Sequence, residues 1–153
     1  MRTLEEAQEE VQEILASEKL GICPCCAQNV WKYRSRIYAP MAVALCDLVR
    51  IFKSTNYWVH VKELRGYNGG GDFAKLVRWG LIFQKANEDS GKRSSGCWMP
   101  TQKGIDFVER KITVVKYLLC FNNTVLGEAG KQVSIIDALG RKFNYSELFE
   151  SND

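Results

Sequence analysis

Directly after Pro40, the residues Met41, Ala44, Leu45, Leu48, Val49 and Phe52 recur at the spacing of one helix face. Pro40 suits the first helical position, where its missing N–H has no partner to lose. The chain that follows is cut into short pieces. Trp58-Val59-His60-Val61 predicts a short strand leading into a short second helix around Lys62–Leu64. Gly66 and the run Gly69-Gly70-Gly71 then break the chain. Asp72 is placed to cap a third helix, Phe73–Trp79, with Phe73, Leu76 and Val77 facing inward. Lys75 and Arg78, three residues apart, share its outer face. Gly80 ends that helix. Leu81-Ile82-Phe83 and Trp98–Thr101 read as strands on either side of a polar loop, Asn87–Gly96. Thr101 is placed to cap a last helix whose apolar residues are Ile105, Phe107 and Val108.

Helix, short strand, helix, turn, helix, strand, loop, strand, helix is the order of a winged helix-turn-helix. The expected fold class is therefore α+β, with a winged helix-turn-helix core over residues 40–112. In that arrangement the third helix is presented outward and can enter the DNA major groove. The loop between the last two strands, the wing, lies against the backbone or the minor groove. Lys75 and Arg78 are then the candidate groove residues, and Lys92 and Arg93 the candidate wing-tip phosphate contacts. Lys32, Arg34 and Arg36, which alternate with apolar and aromatic residues upstream, are further candidates for nucleic-acid binding. The plain competing reading is that these are solvated surface charges. Winged helices also bind RNA and proteins, so the fold alone does not set the function.

The core is flanked on both sides. Thr3-Leu4-Glu5-Glu6 is a capping box, and Leu4, Ala7, Val11, Ile14 and Leu15 then mark one face of an amphipathic helix ending near Lys19. Residues 1–20 form this helix, and residues 21–39 a cysteine-containing basic connector. Val30 to Arg36 reads as a short strand or an extended connector. Residues 113–153 read as a C-terminal extension of a β-hairpin and short helices packed on the core. Its hairpin pairs Val114–Phe121 with Thr124–Leu126 about Asn122-Asn123. Ser134 is placed to cap a short helix through Leu139, and Asn144–Phe149 reads as a final turn or helix.

The net charge of +3 is unevenly spread. Residues 1–20 carry a net −4, residues 29–116 a net +9 and residues 117–153 a net −2. The positive charge thus coincides with the winged-helix pattern, and a basic domain favours phosphate or other anionic surfaces. No apolar run reaches the roughly 20 residues a membrane span needs, so no membrane association is expected. The acidic N-terminus lacks the apolar core of a signal peptide, which points to the cytosol. In that reducing compartment six cysteines are thiols or metal ligands rather than disulfides. Cys23 and Cys26 have the C-x2-C spacing that lets two thiolates bind one Zn²⁺, the only cofactor the sequence suggests. Cys25, Cys46, Cys97, Cys120 and His60 are the other candidate ligands, none at diagnostic spacing. Buried or incidental thiols are the alternative, and Cys46 and Cys120 sit in apolar runs that suit a core. Catalysis has little support. His60 is the lone histidine, no nucleophile elbow or His-Glu-x-x-His helix is present, and the glycine run lacks a nucleotide-binding Lys-Ser/Thr ending.

Leu76-Val77-Arg78-Trp79-Gly80-Leu81-Ile82 resembles the turn from recognition helix into first wing strand of many bacterial winged-helix regulators. Trp98-Met99-Pro100-Thr101-Gln102-Lys103-Gly104 resembles their second wing strand and last helix. More widely, CPCCAQNVWKYRSR from Cys23, PMAVAL from Pro40, GDFAKLVRWGLI from Gly71, the Thr-x-Lys-Gly segment, ITVVKYLLCFN from Ile112 and VSIIDALGRKFNYSELF from Val133 are together similar to a family of small proteins of tailed bacteriophages. The similarity covers nearly the whole chain beyond about residue 20, and no biochemical activity is assigned to that family. It implies a phage gene product in the cytoplasm of an infected bacterium. With the basic core, the expectation is a non-enzymatic nucleic-acid-binding protein, regulatory or accessory to phage DNA metabolism. The alternative is a protein that inhibits or redirects a host protein, such as a defence nuclease complex in the manner of an anti-CRISPR, or the transcription machinery. A homodimer through the N-terminal helix is a further expectation.

Overall fold

A computed structural model of the chain describes residues 3–17, 21–30, 32–65, 67, 71–86, 95–121 and 124–150. It is a mixed α+β structure of helices and antiparallel sheets. The chain divides into two compact units, residues 1–35 with 117–129, and residues 36–116 with 130–153.

In the first unit, Thr3 caps helix α1 (Leu4–Ser17) through its Oγ1, which accepts the Glu6 N–H at 3.1 Å. Only Ala7 and Leu15 of this helix are buried, and Leu4 is 64% exposed. Strands β1 (Gly21–Ile22) and β2 (Asn29–Val30) form a small antiparallel pair. A Cβ on Gly21 would lie 2.7 Å from Ile14, so glycine is what lets the pair sit against α1. Strand β3 (Tyr33–Arg36) belongs to a three-stranded sheet with two later strands, β7 (Val114–Phe121) and β8 (Thr124–Val133), in the order β3-β7-β8. Strand β8 runs to Val133, well past the Leu126 expected from sequence. It lies at the sheet edge and only Val133 is buried, so it lacks the apolar alternation that reveals a strand.

The second unit is built on helix α2 (Ala39–Thr55), the longest helix among the described residues. Pro40 lies in its first turn, and Asn56, in the left-handed conformation at φ 54°, closes it with an N–H to the Phe52 carbonyl. Every residue from Met41 to Val49 is buried. An apolar stripe would cover one side only; here Ala42, Val43, Cys46 and Asp47, which lie off the stripe, are buried too. The exception in kind is Asp47, a carboxylate with 0% exposure. Its cost is offset by Arg65, whose backbone N–H donates to Oδ2 at 2.7 Å and whose Nε donates to Oδ1 at 2.9 Å. Arg65 Nη2 also donates to the Leu148 carbonyl at 3.1 Å, so one guanidinium ties α2 to the C-terminal segment.

After α2 come strand β4 (Val59–His60), a single 3-10 turn (Val61–Glu63) and a 3-10 helix (Phe73–Trp79). Strands β5 (Ile82–Gln84) and β6 (Cys97–Pro100) and helix α3 (Gln102–Val108) follow. The three strands form one antiparallel sheet in the order β4-β6-β5, with Val59 opposite Trp98 and Ile82 opposite Pro100. His60 starts the 3-10 turn. Its Nδ1 accepts the Lys62 N–H at 3.1 Å, and its own N–H donates to Glu63 at 3.1 Å. The imidazole is thus a cap. Helix α4 (Ile135–Leu139) is capped by Ser134 as its sequence predicts, and a π-helical segment (Ser146–Glu150) follows it. The Tyr145 hydroxyl anchors that segment by donating to the Val108 carbonyl at 2.7 Å.

The expected end of the first helix near Lys19, the glycines Gly66, Gly69 and Gly70, and the Asn122-Asn123 turn lie outside the described residues. No helix among the described residues is long and apolar enough to cross a membrane.

Candidate nucleic-acid interface

The segment Phe73–Trp79 has the bounds expected from sequence but is 3-10 rather than α. Its side chains therefore repeat every three residues. Phe73, Leu76 and Trp79 are buried in register. Phe73 meets the Trp98 ring edge-on at 5.5 Å, and the Trp79 indole N–H donates to the Val115 carbonyl at 3.0 Å. This period corrects one expectation. Val77 faces outward, 48% exposed, and Trp79 takes the inward place, because a helix of 3.0 rather than 3.6 residues per turn rotates position 77 off the core.

The same period stacks Asp72, Lys75 and Arg78 on one outer face. Lys75 is exposed and its Nζ lies 3.0 Å from Asp72 Oδ1. A pair this open contributes little to stability, so the ammonium can exchange its carboxylate for a phosphate. Arg78 is half-buried at the C-terminal end of the helix.

Gly80 closes the helix at φ 74°, its N–H donating to the Val77 carbonyl at 2.8 Å. Around it the Thr-x-Lys-Gly segment finds its physical use. Thr101 Oγ1 donates to the Gly80 carbonyl and accepts the Gly104 N–H at 3.0 Å, and the Thr101 N–H donates to the Leu81 carbonyl at 2.9 Å. A Cβ on Gly104 would stand 2.1 Å from the Leu81 oxygen, so only glycine allows α3 this close to the turn. Lys103, between them, is exposed, and its Cδ lies 3.9 Å from where a Gly80 Cβ would be. Lys103 is thus a third cation beside the end of the Phe73–Trp79 helix. It is absent from the sequence-derived candidates, because the grip of Thr101 and Gly104 on Gly80–Leu81 that brings it there is a tertiary contact.

The other candidates are dispersed. Lys92 and Arg93 lie outside the described residues, as does most of their loop. At the base of that loop Ser95 Oγ donates to the Lys85 carbonyl at 2.8 Å. Lys32 and Arg34 belong to the first unit, Arg36 to the second. Arg34 is exposed with its guanidinium 5.1 Å from the Tyr117 ring centre, and Arg36 is exposed at 4.7 Å from that of Tyr38. Arg36 and Lys116 line a shallow cavity with Asp137. The Ser134 N–H, 2.9 Å from Asp137 Oδ2, holds that carboxyl below its ordinary range, with the Ser134 hydroxyl, Lys131 and Lys116 adding to the effect.

Cys23-Pro24-Cys25-Cys26 is a turn between β1 and β2. The Cys23 N–H donates to the Gln28 carbonyl at 2.9 Å, the Ala27 N–H returns to the Cys23 carbonyl at 3.0 Å, and Ala27 is left-handed at φ 61°. The backbone N–H groups of Cys26 and Cys25 donate to the Cys23 sulfur and hold its thiol below the ordinary range. Cys25 and Cys26 are exposed. Cys46 and Cys120 are buried, and burial pushes the Cys46 thiol up to about 12. No group of three or more His, Cys, Asp or Glu placed to hold a metal ion occurs among the described residues.

Comparison of the chain with known protein families, curated proteins and solved structures gives no match.

Proposed function

We propose that this chain is a phage-encoded winged-helix protein that binds nucleic acid, regulatory or accessory to phage DNA metabolism. In this reading α2 is the first helix of the winged domain, Phe73–Trp79 stands where the recognition helix would, and β5 and β6 flank the wing. The observation that carries the reading is the pair Lys75 and Arg78 on the outward face of that helix, with Lys103 beside its C-terminal end. The strand order β4-β6-β5 supports it, because a winged helix pairs its first short strand with the second wing strand. The phage origin rests on the family resemblance of the sequence.

A seven-residue 3-10 helix offers a short reading edge, about 14 Å at its usual rise. Contacts to phosphates rather than an extended base readout are therefore expected, and affinity should fall steeply with salt. The test is a salt series on duplex DNA, single-stranded DNA and RNA. Strong salt-dependent binding to one of them is the expected result and identifies the substrate. No binding at low salt would overturn the reading.

One observation favours a second reading, in which the face engages a host protein. Val77 is exposed beside Lys75 and Arg78, and Phe83 on β5 is 43% exposed. Phosphate binding has no use for these apolar side chains, whereas a protein contact would bury them. Val77→Asp should then abolish capture of a single host protein, and capture that survives the change would remove this face from the contact.

A further inference from the structure

We propose that Cys23 and Cys26 from two copies of this chain together hold one Zn²⁺ ion, making the cysteine turn a metal-closed self-association site. The inference is independent of the nucleic-acid reading. Two thiolates at C-x2-C spacing are half of the four ligands a structural zinc site takes. Among the described residues no third and fourth ligand stand near enough to complete the set within one chain. A two-fold contact between copies supplies the same two residues again, so the half that is missing and the half that is present are identical.

The turn is built for this use. It is held at its base by the β1–β2 pairing, with Gly21 opposite Val30 and Ile22 opposite Asn29. Val30 is buried and Gly21 is seated against Ile14, which fixes the pair on α1. The Cys23 N–H donates to the Gln28 carbonyl at 2.9 Å and the Ala27 N–H to the Cys23 carbonyl at 3.0 Å, so hydrogen bonds on both sides of Cys23 hold the backbone of the turn. Cys26 is exposed and Cys23 partly so, which leaves both within reach of a partner. Ile22, next to Cys23, is 61% exposed, an apolar side chain that a second copy would cover. On binding, four Zn–S bonds form, the four thiols give up their protons to solvent, and no oxidation is involved.

The experiment uses the full chain, kept reduced, stripped with chelator and titrated with Co²⁺ and then Zn²⁺ while its mass is followed by light scattering. The expected result is a tetrahedral cobalt–thiolate spectrum that saturates at about half an ion per chain. The mass should double from 17.4 kDa and return on adding EDTA. Cys23→Ser or Cys26→Ser should abolish both changes, and Cys25→Ser should leave both intact. Should the first two variants fail to fold, alkylation of the wild-type chain reads the same site: Zn²⁺ should slow modification of Cys23 and Cys26. Saturation at one ion per chain with unchanged mass, no tetrahedral spectrum, a doubled mass that persists in EDTA, or alkylation indifferent to zinc would each overturn the proposal.

Discussion

The two units rest on helices of opposite kind. Helix α2 buries every residue from Met41 to Val49, whereas α1 buries two, Ala7 and Leu15. A helix covered on all sides is held by its neighbours and must match them atom for atom. A helix covered on one side is held in greater part by its own cap and by local pairing. Substitutions should therefore be costly in the second unit and mild along α1, and four of them grade that contrast.

The largest effect is expected at Gly104. Gly104→Ala puts a methyl group against the Leu81 carbonyl, where a Cβ has only 2.1 Å, and should lower stability in urea unfolding by about 3 kcal/mol or more. A loss under about 1 kcal/mol would mean the junction between α3 and Gly80–Leu81 yields easily. Arg65→Ala comes next. It leaves the buried Asp47 carboxylate with the residue-65 amide at 2.7 Å and Arg50 at 3.6 Å, a cost of about 2 kcal/mol. An unchanged midpoint would show that the residue-65 amide and Arg50 are partners enough for Asp47.

The third effect is one of pH. The Cys46 thiol is raised from 9.0 to about 12 in the folded state. Below about pH 9 both folded and unfolded chains keep the proton, and the shift contributes no slope. Between that pH and about 12 the unfolded chain loses its proton more readily, so stability falls as pH rises. Cys46→Ala should show a shallower fall than wild type over this window, and equal slopes would place the thiol in contact with water. The smallest effect is at Thr3. Thr3→Ala removes the α1 cap and should cost about 1 kcal/mol, seen as faster amide exchange in the first turn. A loss as large as that of Arg65→Ala would erase the contrast between the two helices.

Legibility in the sequence follows the same division. The stripe from Met41 to Phe52, the short strands β4, β5 and β6, Gly80 and the Ser134 and Thr101 caps are all readable, because each carries a local signal of period or turn chemistry, whereas the two-residue pair β1–β2 lies within what reads as a connector. Strand β8 is not, since its side chains are mostly exposed and follow no apolar alternation. A period of 3.6 puts Val77 inward, and nothing in Phe-Ala-Lys-Leu-Val-Arg-Trp announces a 3-10 helix. The buried pair of Asp47 and Arg65 spans 18 residues, which no local pattern reports. Of the candidate interface, Lys75 and Arg78 are legible by spacing. Lys103 emerges only from the close approach of α3 to Gly80, a tertiary fact.

The most direct test of the nucleic-acid reading compares two double variants on the best-bound substrate. Lys75→Ala with Arg78→Ala removes two charges from the proposed face. Lys62→Ala with Lys111→Ala removes two exposed charges elsewhere in the same unit. The first pair should weaken binding about tenfold or more and reduce the salt slope by about 1 for each phosphate no longer neutralised, while the second pair leaves the slope unchanged. Equal losses from both pairs would mean that net charge alone drives binding and that the Phe73–Trp79 face has no special part in it.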